Sequence, residues 1–163
     1  MRILIVCIVV SVTLLSCATM PDDPNATTPD AYQGYQSWAK VNSHTITGDT
    51  TGVIGKAHEG TAGFREVYIN SAGEGASNGA SSLPYPVGTV IVKDSFKNAG
   101  GAKGALSAVT LMVKRSAQYD PGNGNWEYIM LTPKMKVQAQ GRLSGCISCH
   151  LAADADLVFT DNR

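Results

Sequence analysis

Apolar and polar residues alternate along several short stretches of the chain, and a period of two is typical of β-strands. The predicted strands are 63–70, 89–96, 107–115, 125–132 and, at the edge of the sheet, 136–142. Glycine-rich or proline-containing segments separate them, and 119–124 contains several turn residues between two strands. The pattern therefore predicts a sheet of short antiparallel strands.

The same alternation assigns charged residues to particular faces of the strands. Arg65 shares a face with two apolar neighbours, and Lys93 shares a face with Ile91, whereas Asp94 lies on the other face. A cation in such a position either protects a sheet edge and snorkels to water or approaches a ligand. Arg65 and Lys93 are therefore candidates for a binding site, with the edge interpretation as the alternative.

Helical spacing is restricted to the two ends of this region. Residues 32, 35, 38 and 41 are large and apolar, and Asp30 precedes them as a cap, which predicts a short amphipathic helix. Alanines after residue 150 predict a further turn or two of helix, while 71–86 and 98–104 are predicted loops. The expected fold is α+β, a mainly antiparallel sheet with short helices at both ends.

The beginning of the chain has the features of an export segment. An apolar run at 3–15 follows a positive charge and is too short to span a bilayer, so 1–16 is predicted to be a signal peptide. The run ends in LLSC, which resembles a bacterial lipobox, and Cys17 is then expected to carry lipid; ordinary cleavage is the alternative. Proline-rich 17–30 is predicted to be a flexible tether, and 31–163 a single folded domain on the periplasmic side of a bacterial membrane.

Charge composition narrows the range of partners. The chain has 13 Lys and Arg residues and 13 Asp and Glu residues, so its formal net charge is zero. Nucleic acids and anionic membrane surfaces attract strongly basic proteins. No nucleic-acid partner is therefore expected, and the expected membrane association depends on the lipid at Cys17.

The strongest chemical signature is Cys146-Ile147-Ser148-Cys149-His150. This Cys-x-x-Cys-His pattern is that of c-type haem attachment. Each thiol can add to one vinyl group of the porphyrin, and the histidine beside the second thioether reaches the iron as an axial ligand. The motif, at the C-terminal end of the domain, predicts one covalently bound haem c.

Two other uses of paired cysteines fit less well. A redox dithiol is expected in a βαβ setting, and a zinc site needs a second pair of ligands. Cys7 would leave with the signal peptide and Cys17 would carry lipid, so the mature chain keeps no thiol for a disulfide bond. Haem attachment therefore remains the preferred interpretation.

A sixth iron ligand is the open question about such a haem. His44 and His58 could supply one, although histidines in polar loops are more often solvated. Met112, Met130 or Met135 would have to do so in a simple electron carrier, although methionines on strands more often fill a core.

Four segments in order resemble one known family. They are FREVYIN at 64–70, PYPVGTVIVKDSF at 84–96, VKRSAQYDPGNGNWEY at 113–128 and GCISCHLAADADLVFT at 145–160. Together they resemble the cytochrome P-460 family. The resemblance implies a sheet-dominated fold, a homodimer, and one of two functions: hydroxylamine oxidation with a lysine cross-linked to the porphyrin, or nitric oxide and carbon monoxide binding as in cytochrome c'-beta.

The resemblance also assigns roles to individual residues. Cys146, Cys149 and His150 match the attachment cysteines and the proximal iron ligand. Lys93 falls on the position of the cross-linking lysine, and Arg65 on an arginine of the equivalent strand, which makes Arg65 a candidate contact of a propionate or of the distal side. A haem enzyme of this kind also implies a redox partner protein that accepts the electrons.

One feature departs from the enzymatic pattern. Residues 108–113, expected near the distal side, contain no carboxylate, and proton removal from hydroxylamine needs a base within hydrogen-bond reach. An apolar distal pocket with Phe64 or Phe96 over the iron would suit a diatomic gas. The expectation is an exported monohaem cytochrome that oxidises hydroxylamine, with gas binding and simple electron transfer as alternatives.

Overall fold

A computed structural model describes residues 29–42, 46–47, 64–153 and 155–159. The predicted signal peptide, Cys17, most of the predicted tether, His44 and His58 lie outside these residues. Among the described helices, none has the length and apolar character needed to cross a membrane.

An antiparallel sheet forms most of the described structure. Its strands are β1 (Ala39–Lys40), β2 (Ile46–Thr47), β3 (Phe64–Ile69), β4 (Val90–Ala99), β5 (Ala102–Lys114), β6 (Trp126–Leu131) and β7 (Val137–Gly141). Six of them follow the order β1-β3-β4-β5-β6-β7, and β2 pairs with β3. With helices α1 (Ser71–Ser77) and α2 (Ser144–His150), the sheet confirms a mainly antiparallel α+β fold.

Strands β4 and β5 are longer than the sequence predicts. They form one hairpin in which Ala99 pairs with Ala102, so the predicted loop 98–104 shrinks to Gly100 and Gly101. Both glycines have positive φ, 64° and 91°. Such a two-residue turn needs backbone conformations that glycine adopts without steric cost, so the strands continue up to it.

The predicted helix over 32–41 is wrong. The segment forms two short 3₁₀ turns, Pro29–Tyr32 and Tyr35–Ser37, and then enters β1. Gly34 separates the turns with a left-handed φ of 78°, which a continuous helix cannot contain. Tyr32 and Tyr35 are nevertheless buried, so the apolar spacing correctly identified residues of the core.

Helix α1 lies where 71–86 was predicted to be a loop. Its sequence, SAGEGAS, has poor helix propensity, and packing compensates for it. Gly73 is buried so closely that a Cβ there would lie 2.4 Å from Thr89 Cγ2. The glycine that weakens the local helix signal is the residue that lets α1 approach the sheet.

The prediction of a helix after residue 150 is wrong. The only helix of this region precedes that point and ends at His150 within the described residues. Helix α2 contains the whole motif, and a short bridge between Ala155 and Val158 follows. Asp156 and Leu157 have positive φ values of 53° and 64°, which interrupt a right-handed helix. The alanine-rich composition was therefore a misleading signal.

Each sheet face carries its own hydrophobic cluster. The face covered by α2, called the motif face below, contains buried Ile69, Ile91, Met112, Trp126 and Tyr128, with Cys146 and Ile147 packed against them. The opposite face contains buried Tyr35, Tyr68, Val92, Leu111 and Ile129. Both faces are covered, so the strands separate two chemically distinct environments.

Candidate functional site

A cross-strand row of side chains on the motif face connects the sheet to α2. In register, the row runs Val67, Lys93, Thr110, Met130 and Ala139, from β3 to β7. Val67 packs against the cluster that includes Cys146 and Ile147, so the row is on the same side as the motif. A neighbouring row contains Arg65, Ser95 and Ala108.

Lys93 lies on the motif face, as the alternation of β4 predicts. Its side chain is half-buried, and burial lowers the pKa of Lys93 to about 8. The Arg65 guanidinium lowers this pKa further, while the thiols of Cys146 and Cys149 act in the opposite direction. Lys93 is thus within electrostatic range of both motif cysteines, and its bond to a cofactor stays a prediction.

Arg65 is a buried cation and not an exposed edge residue. Only 4% of its surface is accessible, and Nε and Nη2 of its guanidinium group are shielded from solvent. Asn42 holds the local backbone, because its side-chain amide donates to the Arg65 carbonyl at 3.1 Å and its Oδ1 accepts from Val67 N at 2.9 Å. Arg65 and Lys93 therefore place two cations on adjacent rows of one face.

The two thiols lie one helical turn apart on α2. Residues three apart share a side of a helix, so Cys146 and Cys149 can reach the same flat group. Both are half-buried, and neither forms a disulfide bond within the described residues. Burial raises the pKa of Cys146, and the nearby Lys93 charge opposes that effect.

His150 is held in a defined orientation. Its Nδ1 lies 2.7 Å from the carbonyl oxygen of Leu157. A carbonyl can only accept, so Nδ1 carries the proton and Nε2 keeps the lone pair that can bind a metal. The rings of Tyr128 and Phe159 flank the imidazole at 5.3 Å and 5.4 Å between centroids. Burial lowers the pKa of His150, which favours the neutral, ligating form.

These residues fit a haem. The Tyr128 hydroxyl is buried beside His150 and has no hydrogen-bond partner among the described residues, which indicates a site built to hold a further group. Met130 is 38% exposed in the row that also contains Lys93, and offers an apolar surface to such a group. A pair of thiols, an oriented imidazole and the buried Arg65 cation have the chemistry to hold a haem through its vinyl groups, its iron and a propionate.

Phe64 and Phe96 do not lie where they were expected. They are cross-strand partners, and Phe64 shares the face of Glu66 and Tyr68, opposite to the motif. The Lys103 ammonium sits 4.6 Å from the centre of the Phe96 ring and also binds Glu66. The expectation that either phenylalanine covers the iron is therefore wrong, because strand alternation directs them away from the motif face.

Asp94 also faces away from the motif, as predicted. The Tyr35 hydroxyl donates to Asp94 Oδ1 at 2.6 Å within the opposite face. Met135 packs against that same cluster, so it is not placed to bind the iron, while Met112 is buried in the motif-face cluster. Of the three methionines, Met130 alone is exposed on the motif face.

Local sequence patterns do not indicate the residues that hold His150. Tyr128 lies in the predicted strand 125–132 without a distinguishing feature, and the turn or two of helix predicted after residue 150 does not indicate a bend at Asp156 and Leu157. The contact between Leu157 and His150 depends on two left-handed residues, and no local pattern of apolar and polar positions reports such a bend.

Comparison with known families is consistent with this geometry. Residues 32–160 match the family described as Cytochrome P460. The match includes strands β3 to β7, helix α2 and the short segment that contacts His150. No curated protein matches the chain. The chain belongs to the cytochrome P460 family, and is therefore a haem-binding cytochrome.

Proposed function

We propose that the protein holds one haem c covalently through Cys146 and Cys149, with His150 as the axial ligand of the iron. The spacing of the thiols on one side of α2 and the orientation of the His150 ring support this arrangement. We also propose that the protein is exported and anchored to a membrane by lipid on Cys17.

Hydroxylamine oxidation is the activity that we propose for this haem. The observation that carries it is the position of Lys93, half-buried on the motif face within electrostatic range of both motif thiols. A cross-link from Nζ to a porphyrin carbon requires a lysine directed toward the attached haem, and a lysine of an exposed sheet edge would not meet that requirement. Lys93 meets it.

Each group of the site then has a task. When bound, the haem supplies an iron that binds the substrate nitrogen and passes electrons one at a time. Lys93 would constrain the porphyrin, His150 would supply a ligand to the iron, and Arg65 would contribute positive charge to the site. Oxidation of hydroxylamine to nitric oxide would release protons and electrons in equal number; water would take up the protons, and a redox partner protein would receive the electrons.

Gas binding is the second candidate, and one observation favours it. Among the described residues, the rows of Lys93 and Arg65 contain no carboxylate, and their other members are Ile46, Val67, Ser95, Ala108, Thr110, Met130 and Ala139. Oxidation of hydroxylamine needs a proton acceptor, whereas nitric oxide or carbon monoxide binds without proton transfer. A site of this polarity suits a diatomic ligand.

The two functions separate in one experiment on holoprotein made with a cytochrome maturation system. Formation of the cross-link breaks one N–H and one C–H bond and makes one C–N bond, and an external oxidant of the peroxide class would accept the two hydrogens as water. The intact mass therefore falls by one hydrogen molecule relative to simple thioether attachment. We expect that mass, an absorption spectrum unlike ordinary haem c, and reduction of an electron acceptor on adding hydroxylamine.

Lys93→Met provides the decisive comparison, and Lys97→Met, at an exposed position of the same strand, is its control. Lys93→Met should restore the ordinary spectrum and mass and abolish hydroxylamine oxidation, while Lys97→Met changes neither. An ordinary spectrum without turnover in the unaltered protein would favour gas binding, provided that nitric oxide changes the spectrum. A coloured protein insensitive to both ligands would be an electron carrier.

The proposed anchor has an independent test. Cys17→Ala should move the protein from the membrane fraction to the soluble exported fraction and remove lipid from its N-terminal peptide. Recovery of unaltered protein in the soluble fraction would contradict the anchor and leave the haem site unaffected.

A further inference from the structure

The segment 155–159 returns to the sheet directly after the motif. A hydrogen bond from Val158 N to Ala155 O at 3.1 Å closes it into a tight turn. Asp156 and Leu157, inside this turn, both have positive φ, at 53° and 64°. A leucine rarely adopts that conformation, so the surrounding contacts must hold it.

Asp156 provides those contacts. Its Oδ2 accepts hydrogen bonds from Lys114 Nζ at 2.6 Å and from Tyr85 N at 2.9 Å. Its backbone carbonyl accepts from Trp126 Nε1 at 2.7 Å. The turn is therefore fixed to β5, to β6 and to the segment that precedes β4.

The ion pair at the centre of this anchor is shielded from water. The side chains of Lys114 and Asp156 are 7% and 12% exposed. The Lys114 ammonium also lies 4.8 Å from the centre of the Trp126 ring, whose edge meets the Tyr85 ring at 5.7 Å between centroids. A buried pair with further hydrogen bonds on both partners keeps one geometry, whereas an exposed pair would exchange among several.

The residue next to this anchor makes the contact to His150. The Leu157 carbonyl lies 2.7 Å from Nδ1 of the imidazole, and Phe159 packs on the same ring at 5.4 Å. In metal sites, the acceptor on the second histidine nitrogen sets the ring orientation and increases its donor strength. Asp156 is one peptide unit away from that acceptor.

We propose that Lys114 and Asp156 are positioning residues that fix the Leu157 carbonyl against His150 and thereby set the strength of the bond between His150 and the haem iron. This inference rests on the proposed function, because it needs His150 to be the iron ligand. It adds a buried ion pair, outside the attachment motif, that tunes the proximal side of the haem.

The main test is the double variant Lys114→Met with Asp156→Gly in the holoprotein. Methionine keeps apolar volume over Trp126, glycine accepts the left-handed backbone, and neither leaves a buried charge unpaired. Resonance Raman spectroscopy of the ferrous protein measures the iron–His150 stretching band, and potentiometry measures the reduction potential. We expect the band to move to lower frequency and broaden, and the ferrous-to-ferric ratio at a fixed potential to rise about tenfold.

A matched control separates positioning from general stability. The control is Lys40→Met with Glu66→Gln, which removes an ion pair of 3.0 Å whose Glu66 lies on the opposite face. It should leave the iron–His150 band and the reduction potential unchanged, even if the protein unfolds more easily. Asp156→Asn keeps the side-chain volume, and asparagine also tolerates a positive φ. It should shift the iron–His150 band and the reduction potential in the same directions by smaller amounts.

The outcomes also separate this inference from the proposed function. A colourless unaltered protein would overturn both. A coloured protein whose anchor variants fold, carry haem at full thioether mass and keep the original band and potential would overturn the positioning role alone. If the double variant does not fold, Asp156→Asn decides, because an unchanged band there contradicts the proposal.

Discussion

The two faces of the sheet differ in whether their buried polar groups find hydrogen-bond partners within the described chain. On the opposite face, the Asp94 carboxylate accepts from Tyr35, and Glu66 accepts from Lys40, Lys103 and Tyr68. On the motif face, Lys93 and Arg65 bring two cations together, and the Tyr128 hydroxyl is buried with no hydrogen-bond partner among the described residues. One face is completed by the chain itself, and we expect the other to be completed by haem.

This difference indicates which interactions stabilise each face. Side-chain hydrogen bonds and apolar packing of the opposite face exist before any cofactor is attached. The motif face keeps half-buried and exposed apolar residues, such as Val67 and Met130, which gain burial only when a large flat group covers them. Substitutions on the two faces should therefore respond differently to haem.

Removing the attachment thiols should have the largest effect. Cys146→Ala with Cys149→Ala should give a colourless protein whose free energy of unfolding falls by about 4 kcal/mol, the gain that a tightly held ligand provides. Hydrogen exchange should accelerate in α2 and 155–159 but not in the central β4–β5 hairpin. Equal acceleration on all elements would show that the opposite face also depends on haem.

Truncation of one apolar residue on each face is the next comparison. Leu111→Ala, at a site only 1% exposed on the opposite face, should cost about 3 kcal/mol with or without haem. Met130→Ala should cost under about 1 kcal/mol in the haem-free protein, because the side chain is exposed, and more in the holoprotein. Denaturant unfolding measures both, and equal costs for Met130→Ala in the two forms would contradict its burial by haem.

Loss of the Tyr35 hydroxyl should have a smaller effect. Tyr35→Phe leaves the buried Asp94 carboxylate without its donor at 2.6 Å and should cost about 1–3 kcal/mol. Adding Asp94→Asn should recover part of that loss, because the amide carries no charge, and a double-mutant cycle measures the coupling. Additive effects of the two substitutions would show that the contact contributes nothing.

The smallest expected effect depends on pH. Burial alone would raise the pKa of Glu66, but hydrogen bonds from Lys40, Lys103 and Tyr68 outweigh it and lower the pKa to about 2. A lowered folded-state pKa stabilises the protein above the ordinary value of 4.5, and this stabilisation is lost as pH falls through about 2. Glu66→Gln should cost about 1 kcal/mol at neutral pH and almost nothing near the lower value. If the loss of stability caused by Glu66→Gln does not change with pH, the negative charge of Glu66 is not its source.

The central part of the fold followed from the sequence because β4, β5 and β6 have strong local signals. Alternation placed Lys93 on the correct face and separated it from Asp94, since a period of two leaves little ambiguity in a sheet with both faces covered. Local sequence signals do not reveal helix α1. Glycine has a low helix propensity, and Gly73 is present because α1 packs closely on Thr89, which only the tertiary structure shows.

The candidate site was only partly accessible to sequence reasoning. Cys146, Cys149 and His150 belong to one short motif, so the sequence alone shows that they lie close together. The partners of His150 come from β6 and from a left-handed turn after the motif, and the anchor of that turn joins Asp156 to Lys114, 42 residues away. Contacts of such separation are decided by the tertiary structure.

The β4–β5 hairpin extends past its neighbours. Pairing with β3 ends at Phe96 and pairing with β6 begins at Val109, so in the described structure the hairpin end around Gly100 is a two-stranded ribbon with exposed residues. An affinity tag or fluorescent label inserted between Gly100 and Gly101 would therefore reach solvent without touching either cluster. This end of the molecule offers a handle for immobilising the cytochrome on an electrode while the haem site remains intact.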